Sequence, residues 1–178
     1  MRGINVGGKN KVPMADLRRG LEAEGFERVL TYIQSGNVLL RSDLAARPLT
    51  AKIERLLPRL FKLDSSVIRV AALEHGTFKK VVTQAPRGFG RDPASYRYNV
   101  IFLIKVSARE AMKQIEARQG VDQVWQGDTV IYHSYFIPDA TKSYMSRITQ
   151  QPIYGSITVR NWNTTTRLLK LLDEDAAS

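Results

Sequence analysis

The chain is 178 residues long, 43% hydrophobic, and carries +10 at pH 7 from 27 Lys+Arg against 17 Asp+Glu. It holds no cysteine, which excludes disulfides, thiolate metal ligands and a cysteine nucleophile and suits a reducing compartment. No apolar run approaches the roughly 18 residues that span a bilayer, and Arg2 and Gly3 open no apolar signal region, so a soluble cytoplasmic protein with no membrane partner is expected.

Two βαββαβ-like patterns follow one another. The first begins with a short strand at Gly3 to Val6 and a helix from about Pro13 to Glu24, with Pro13 at the first helical position and Gly25 as the stop. Val29 to Gln34 and Asn37 to Arg41 read as a hairpin around Ser35-Gly36. A helix from about Pro48 to Lys62 sets Leu49, Ile53, Leu56, Leu57 and Leu60 on one face. Ser66 to Ala71 is β-rich, and a short helix follows around Leu73 to Val82.

Gln84 to Tyr96 contains Pro86, Gly88, Gly90 and Pro93, which is linker chemistry. Tyr98 to Val106 then reads as a buried central strand. Ser107 with Glu110 forms a capping box for a helix to about Arg118. Asp122 to Gln126 and Thr129 to Phe136 make a second hairpin around Gly127-Asp128. A helix near Ala140 to Thr149, a strand near Ser156 to Arg160 and a helix from about Thr164 to Asp173 end the chain. Tyr32 to Val38 sits in its half where Val124 to Val130 sits in the other. The expected fold is therefore α+β, two tandem ferredoxin-like (α/β plait) halves with antiparallel sheets. Residues 1–84 form the first half, 85–96 a linker and 97–178 the second half.

Three stretches, RGINVGGKNKVPMADLR (2–18), TYIQSGNVLL (31–40) and TVRNWNTTTRL (158–168), closely resemble a bacterial family, domain of unknown function 1697. The resemblance runs over nearly the whole chain. It implies two ferredoxin-like halves and no particular activity. Relatives carry several residues before the first motif, whereas here Met1 falls just before Arg2. The resemblance therefore implies a short or missing first strand and a less stable first half.

Charge is uneven: residues 1–90 hold 16 Lys+Arg against 8 Asp+Glu, and residues 91–178 hold 11 against 9. A basic surface attracts polyanions, nucleic acid foremost, although solubility alone also accounts for it. Gly3 to Lys9 has the G-x-x-x-x-G-K spacing of a phosphate loop, but Asn10 replaces the Ser or Thr that would hold magnesium, and Pro13 starts the helix late. Nucleotide hydrolysis is not expected. Two readings stay open: Gly7, Gly8, Lys9, Asn10 and Lys11 cradle an anion without metal, or they form an unusual strand-to-helix turn.

Arg160, Asn161, Trp162 and Asn163 precede the last helix, which Asn163 or Thr164 can cap. Arg160 beside Trp162 suits stacking on a planar ligand or binding of phosphate or carboxylate. The alternative is a buried Arg–Asn network. His75 and His133 are expected as packing or surface residues, and no metal-ligand spacing such as H-E-x-x-H occurs, so neither metal nor cofactor is expected. Ser143 with Arg147 and Lys142 with Ser146 read as a solvated helix face. The ribonucleoprotein octamer of RNA-recognition domains is missing. The sequence thus points to a binding protein for nucleic acid or a phosphorylated small molecule. An enzyme on a small anionic substrate is the alternative, with no acid–base pair in view, and a purely structural module is the third option.

Overall fold

The computed structural model describes residues 1–64 and 68–177. It is a mixed α+β chain with one two-stranded and one four-stranded sheet, both antiparallel. The chain divides into two compact units, Met1–Glu74 and His75–Ser178. Residues 75–84, expected in the first half, thus belong to the second. None of the described helices is long and apolar enough to cross a membrane.

In the first unit, helix α1 (Met14–Ala23) buries Met14, Leu17 and Leu21, the i, i+3, i+7 stripe of an amphipathic helix. Pro13 is its cap rather than its first residue. Strands β1 (Glu27–Tyr32) and β2 (Asn37–Arg41) pair in the expected hairpin, Tyr32 opposite Asn37. Helix α2 (Ala46–Leu60) turns Ile53, Leu56 and Leu57 inward and leaves Leu60 exposed. These side chains share a core with Ile4, Val12, Phe26, Val29, Ile68 and Val70. Each aliphatic buried there contributes roughly 1.5–3 kcal/mol relative to exposure.

The strand expected at Gly3 to Val6 is not formed. The backbone bends there, because Gly3 and Asn5 take left-handed φ values of 85° and 53°. In place of a strand there are two isolated bridges, Arg2 with Arg69 and Val6 with Lys9. The β-rich stretch expected at Ser66 to Ala71 begins at positions outside the described residues.

In the second unit, helix α3 (His75–Thr83) precedes strand β3 (Tyr96–Leu103), helix α4 (Ala108–Met112), strands β4 (Asp122–Gln126), β5 (Val130–Phe136) and β6 (Ile157–Asn161), and helix α5 (Trp162–Ala176). The sheet order is β4-β5-β3-β6. Ile101, Ile131 and Ile157 face one core with Ala111, Ile115, Tyr144, Ile148 and Ile153. On the other face Phe78 of α3 stacks on Phe102 with ring centroids 5.9 Å apart, and the Tyr132 hydroxyl donates to the Val81 carbonyl at 2.7 Å. Burial foremost, and then Asp128, raises the Tyr132 pKa to about 12.

Three expectations are corrected in this unit. The Ser107–Glu110 capping box is present, but α4 stops at Met112, and Arg118 is drawn into a turn by its amide bond to Asp122 (2.9 Å). The helix expected over residues 140–149 is a series of 3-10 turns, Ile137–Lys142, Tyr144–Gln150 and Pro152–Ser156. Pro138 and Pro152 occupy their starts, and Ser143 and Gln151 are extended between them. The expected linker, 85–96, packs as part of the unit. Phe89 is buried with its ring edge-on to Tyr98, Trp125, Tyr132 and Trp162, at centroid distances of 5.0 to 5.8 Å.

Candidate functional site

The glycine-lysine stretch is a tight finger. The Lys9 amide donates to the Val6 carbonyl (3.0 Å) and the Asn5 amide to the Asn10 carbonyl (3.1 Å). Gly7 and Gly8 sit between them at φ 58° and 75°, the two positive values that a type I′ turn demands. Asn5 and Asn10 are left-handed as well, at φ 53° and 48°, which asparagine tolerates better than most residues. Their side chains hold the finger at its base. The Asn5 carboxamide accepts from the Val12 amide and donates to the Val12 carbonyl, both at 2.8 Å, and donates to the Gln34 carbonyl at 2.9 Å. Asn10 is buried: its carboxamide donates to the Gly3 carbonyl (2.6 Å) and its amide to the Asp64 carboxylate (2.6 Å).

Asn10 is therefore spent on the fold, whereas Gly7, Gly8, Lys9 and Lys11 are exposed. Helix α1 begins at Met14, five residues beyond Lys9, so the finger does not run into a helix N-terminus as a phosphate loop does. The arrangement offers a lysine ammonium beside glycine backbone that carries no side chain to keep a ligand away. It can meet an anion without metal.

The hairpin turn of the second motif lies at the same place. Asn5 bonds to the Gln34 carbonyl and the Met1 ammonium to the Gly36 carbonyl (2.7 Å). Two of the three motifs quoted from the sequence thus meet within the first unit.

The third motif is largely absorbed by the second unit. Arg160 lies on β6 opposite Val100, and its guanidinium donates to the Thr158 hydroxyl (2.9 Å) and the Val159 carbonyl (2.8 Å). Burial lowers its pKa to about 10, so it stays cationic at neutral pH. Asn161, rather than Asn163 or Thr164, caps α5: its side chain accepts from the Asn163 amide at 2.9 Å. Trp162, the first residue of α5, meets Phe89 at right angles with centroids 5.1 Å apart. Gly90, at φ 82°, allows that contact, since a Cβ there would sit 2.2 Å from the indole nitrogen. Asn163 is exposed.

A buried polar cluster was not foreseen. Asp122 Oδ1 accepts from the Ser143 hydroxyl (2.6 Å) and lies 3.0 Å from His133 Nε2, while Oδ2 accepts from the Tyr144 amide (3.0 Å) and the Arg118 amide (2.9 Å). The Asp122 and His133 side chains have no exposed surface. Burial pushes the Asp122 pKa up, but the bonds from His133, Ser143, Tyr144 and Arg118 together outweigh it and hold the value at about 2. An ionised Asp122 makes Nε2 the protonated nitrogen of His133, and Nδ1 is buried without a hydrogen-bond partner. Serine and histidine here both address the aspartate, so the hydroxyl is not poised against the imidazole as in a hydrolytic triad. The other histidine, His75, is a surface residue paired with Asp173 at 2.7 Å. Among the described residues no group of three or more His, Asp or Glu could hold a metal ion.

A family model described as a protein of unknown function, DUF1697, matches residues 1–132. The conserved bacterial protein SP0830 from Streptococcus pneumoniae has a similar structure, with a TM-score of 0.75 and 28% sequence identity over 96% of this chain and 94% of that one. None of the curated proteins matches.

Proposed function

The chain belongs to that family of proteins of unknown function, and on this premise we propose that it binds a phosphorylated or polyanionic partner, either nucleic acid or a nucleotide-like metabolite. The carrying observation is the finger: Gly7, Gly8 and Lys9 exposed at a turn, with Lys11 beside it, on a base fixed by Asn5 and Asn10. Preorganised backbone lowers the entropy lost when an anion is held, and two lysines supply the charge. The excess of cations in residues 1–90 favours the same class of partner. Arg160 is a separate candidate contact on the second unit. A cysteine-free chain without a candidate membrane helix among its described residues is consistent with a cytoplasmic setting.

We also infer that both units derive from the α/β plait. Support comes from the second unit, where the first and third strands are central and the second and fourth are at the edges. In the first unit it rests on the hairpin and the Arg2–Arg69 bridge.

The test is fluorescence anisotropy of labelled single-stranded RNA and DNA across a salt series, with inorganic phosphate and nucleotides as competitors. Lys9→Ala and Lys11→Ala should weaken binding and each lower the salt slope by about 1. Lys79→Ala, in the second unit, should not. Equal losses from all three would reduce the reading to a diffuse basic surface, and no binding at low salt would overturn its nucleic-acid form.

A further inference from the structure

The finger and the hairpin turn expose more than charge. Val6 and Ile33 are the two most exposed large hydrophobic residues described, at 61% and 50%, against 39–40% for Leu30, Leu44 and Leu60. Single exposed aliphatics are common on protein surfaces. These two are not far apart in the fold, because Val6 follows Asn5 and Ile33 precedes Gln34, and Asn5 is bonded to Gln34 at 2.9 Å. Ile33 is also held at φ 50°, a conformation that a β-branched side chain adopts only under constraint. An asparagine or glycine would relieve that strain and expose less apolar surface. A strained, exposed isoleucine on a turn that is hydrogen-bonded to the finger carrying an exposed valine is a feature that folding alone does not require.

Lys9 and Lys11 lie on the same stretch of chain as Val6 and flank Asn10, whose amide holds the single carboxylate of Asp64 (2.6 Å). The surface thus carries two exposed aliphatic side chains and, on the finger, two exposed lysines against one carboxylate. Charge complementarity selects a negatively charged partner, and the aliphatic pair selects one that carries apolar faces between its charges. Unstacked bases joined by phosphates fit both requirements: bases lie on or between aliphatic side chains, and lysines meet the backbone. A free phosphate or a nucleotide polyphosphate meets only the lysines.

We propose that this two-loop tip is a contact surface for single-stranded nucleic acid, with Val6 and Ile33 touching bases and Lys9 and Lys11 touching phosphates. The proposal rests on the polyanion reading above and narrows it to one partner class.

The experiment measures binding of the whole chain to a labelled single-stranded RNA of mixed sequence across a salt series. Val6→Ser and Ile33→Asn should each reduce affinity by about five- to tenfold, with an unchanged salt slope, because an uncharged contact is lost. Leu44→Ser should change nothing, and circular dichroism should show every variant folded. If Lys9→Ala weakens binding while Val6→Ser and Ile33→Asn do not, the polyanion reading stands and this proposal falls. If the RNA does not bind but vesicles containing anionic lipid sediment the protein, the aliphatic pair serves a bilayer, and the proposal is overturned. Binding to neither overturns it together with the nucleic-acid form of the wider reading.

Discussion

A Cβ built on Gly90 would stand 2.2 Å from Nε1 and 2.4 Å from Cδ1 of Trp162, so the indole at the start of α5 lies directly against the backbone of the 86–92 turn. Gly90 also sits at φ 82°. Gly90→Ala therefore meets two penalties, a left-handed backbone and a collision with a large ring held by Phe89. The expected cost is about 2–4 kcal/mol, visible as a lowered Tm in calorimetry. Gly88→Ala, with nothing within 4 Å of its Cβ position, is also strained at φ 84° but meets no collision and should cost less.

Asn5 makes three hydrogen bonds to backbone groups through one carboxamide, two to Val12 and one to Gln34. Asn5→Ala leaves the amide and carbonyl of the buried Val12 without that partner and puts alanine at φ 53°. A loss of about 2–4 kcal/mol is expected, together with faster amide hydrogen exchange at Val12. Asn5→Asp keeps the acceptor for the Val12 amide but sets a carboxylate against two carbonyls, so it should also destabilise. An Asn5→Asp variant as stable as the parent would show that the clamp contributes little.

How much of this could be read from the sequence varies with the range of the interaction. Helix α1, the hairpin and the Ser107–Glu110 box were legible because local spacing carries them. The role of Phe89 was not: Pro86, Gly88, Gly90 and Pro93 do mark turns, but a turn can be packed, and the rings that pack it come from β3, β4, β5 and α5. The bond between Asp122 and His133 is not legible in the sequence, because the two lie on neighbouring strands eleven residues apart with no motif between them. Gly3 to Val6 reads as a strand that does not form, and Gly7 to Lys11 reads either as an anion cradle or as a turn, a choice that the burial of Asn10 bears on. Its burial against Gly3 and Asp64 is a long-range fact that no spacing rule contains.

Asp122 gives the second unit a definite acid limit. Its carboxyl titrates near 4 when unfolded and at about 2 when folded, so the stabilisation is full above the unfolded value and is lost as pH falls through the folded one. The difference corresponds to about 2 kcal/mol between pH 5 and pH 2. Urea midpoints measured down that range should fall for the parent chain. Asp122→Asn should start from a lower midpoint and show a flatter decline. Equal slopes in the two proteins would assign the acid sensitivity elsewhere.

Ile33 carries its strain in the free protein. Ile33→Asn should raise stability by about 1 kcal/mol, since asparagine accepts the left-handed backbone and no core contact is surrendered at an exposed site. The thermal midpoint would rise by a few degrees. An unchanged or lowered midpoint would mean that the isoleucine side chain contributes packing which its 50% exposure conceals.

The ring cluster around Phe89 has a spectroscopic corollary. The chain has two tryptophans, Trp125 and Trp162, and both lie in the second unit with their rings against the same phenylalanine. Intrinsic indole emission therefore reports on one half of the polypeptide, and residues 1–74 contribute tyrosine signal only. A melting curve followed by emission will look like a single transition even where the finger, the hairpin and α2 have already come apart.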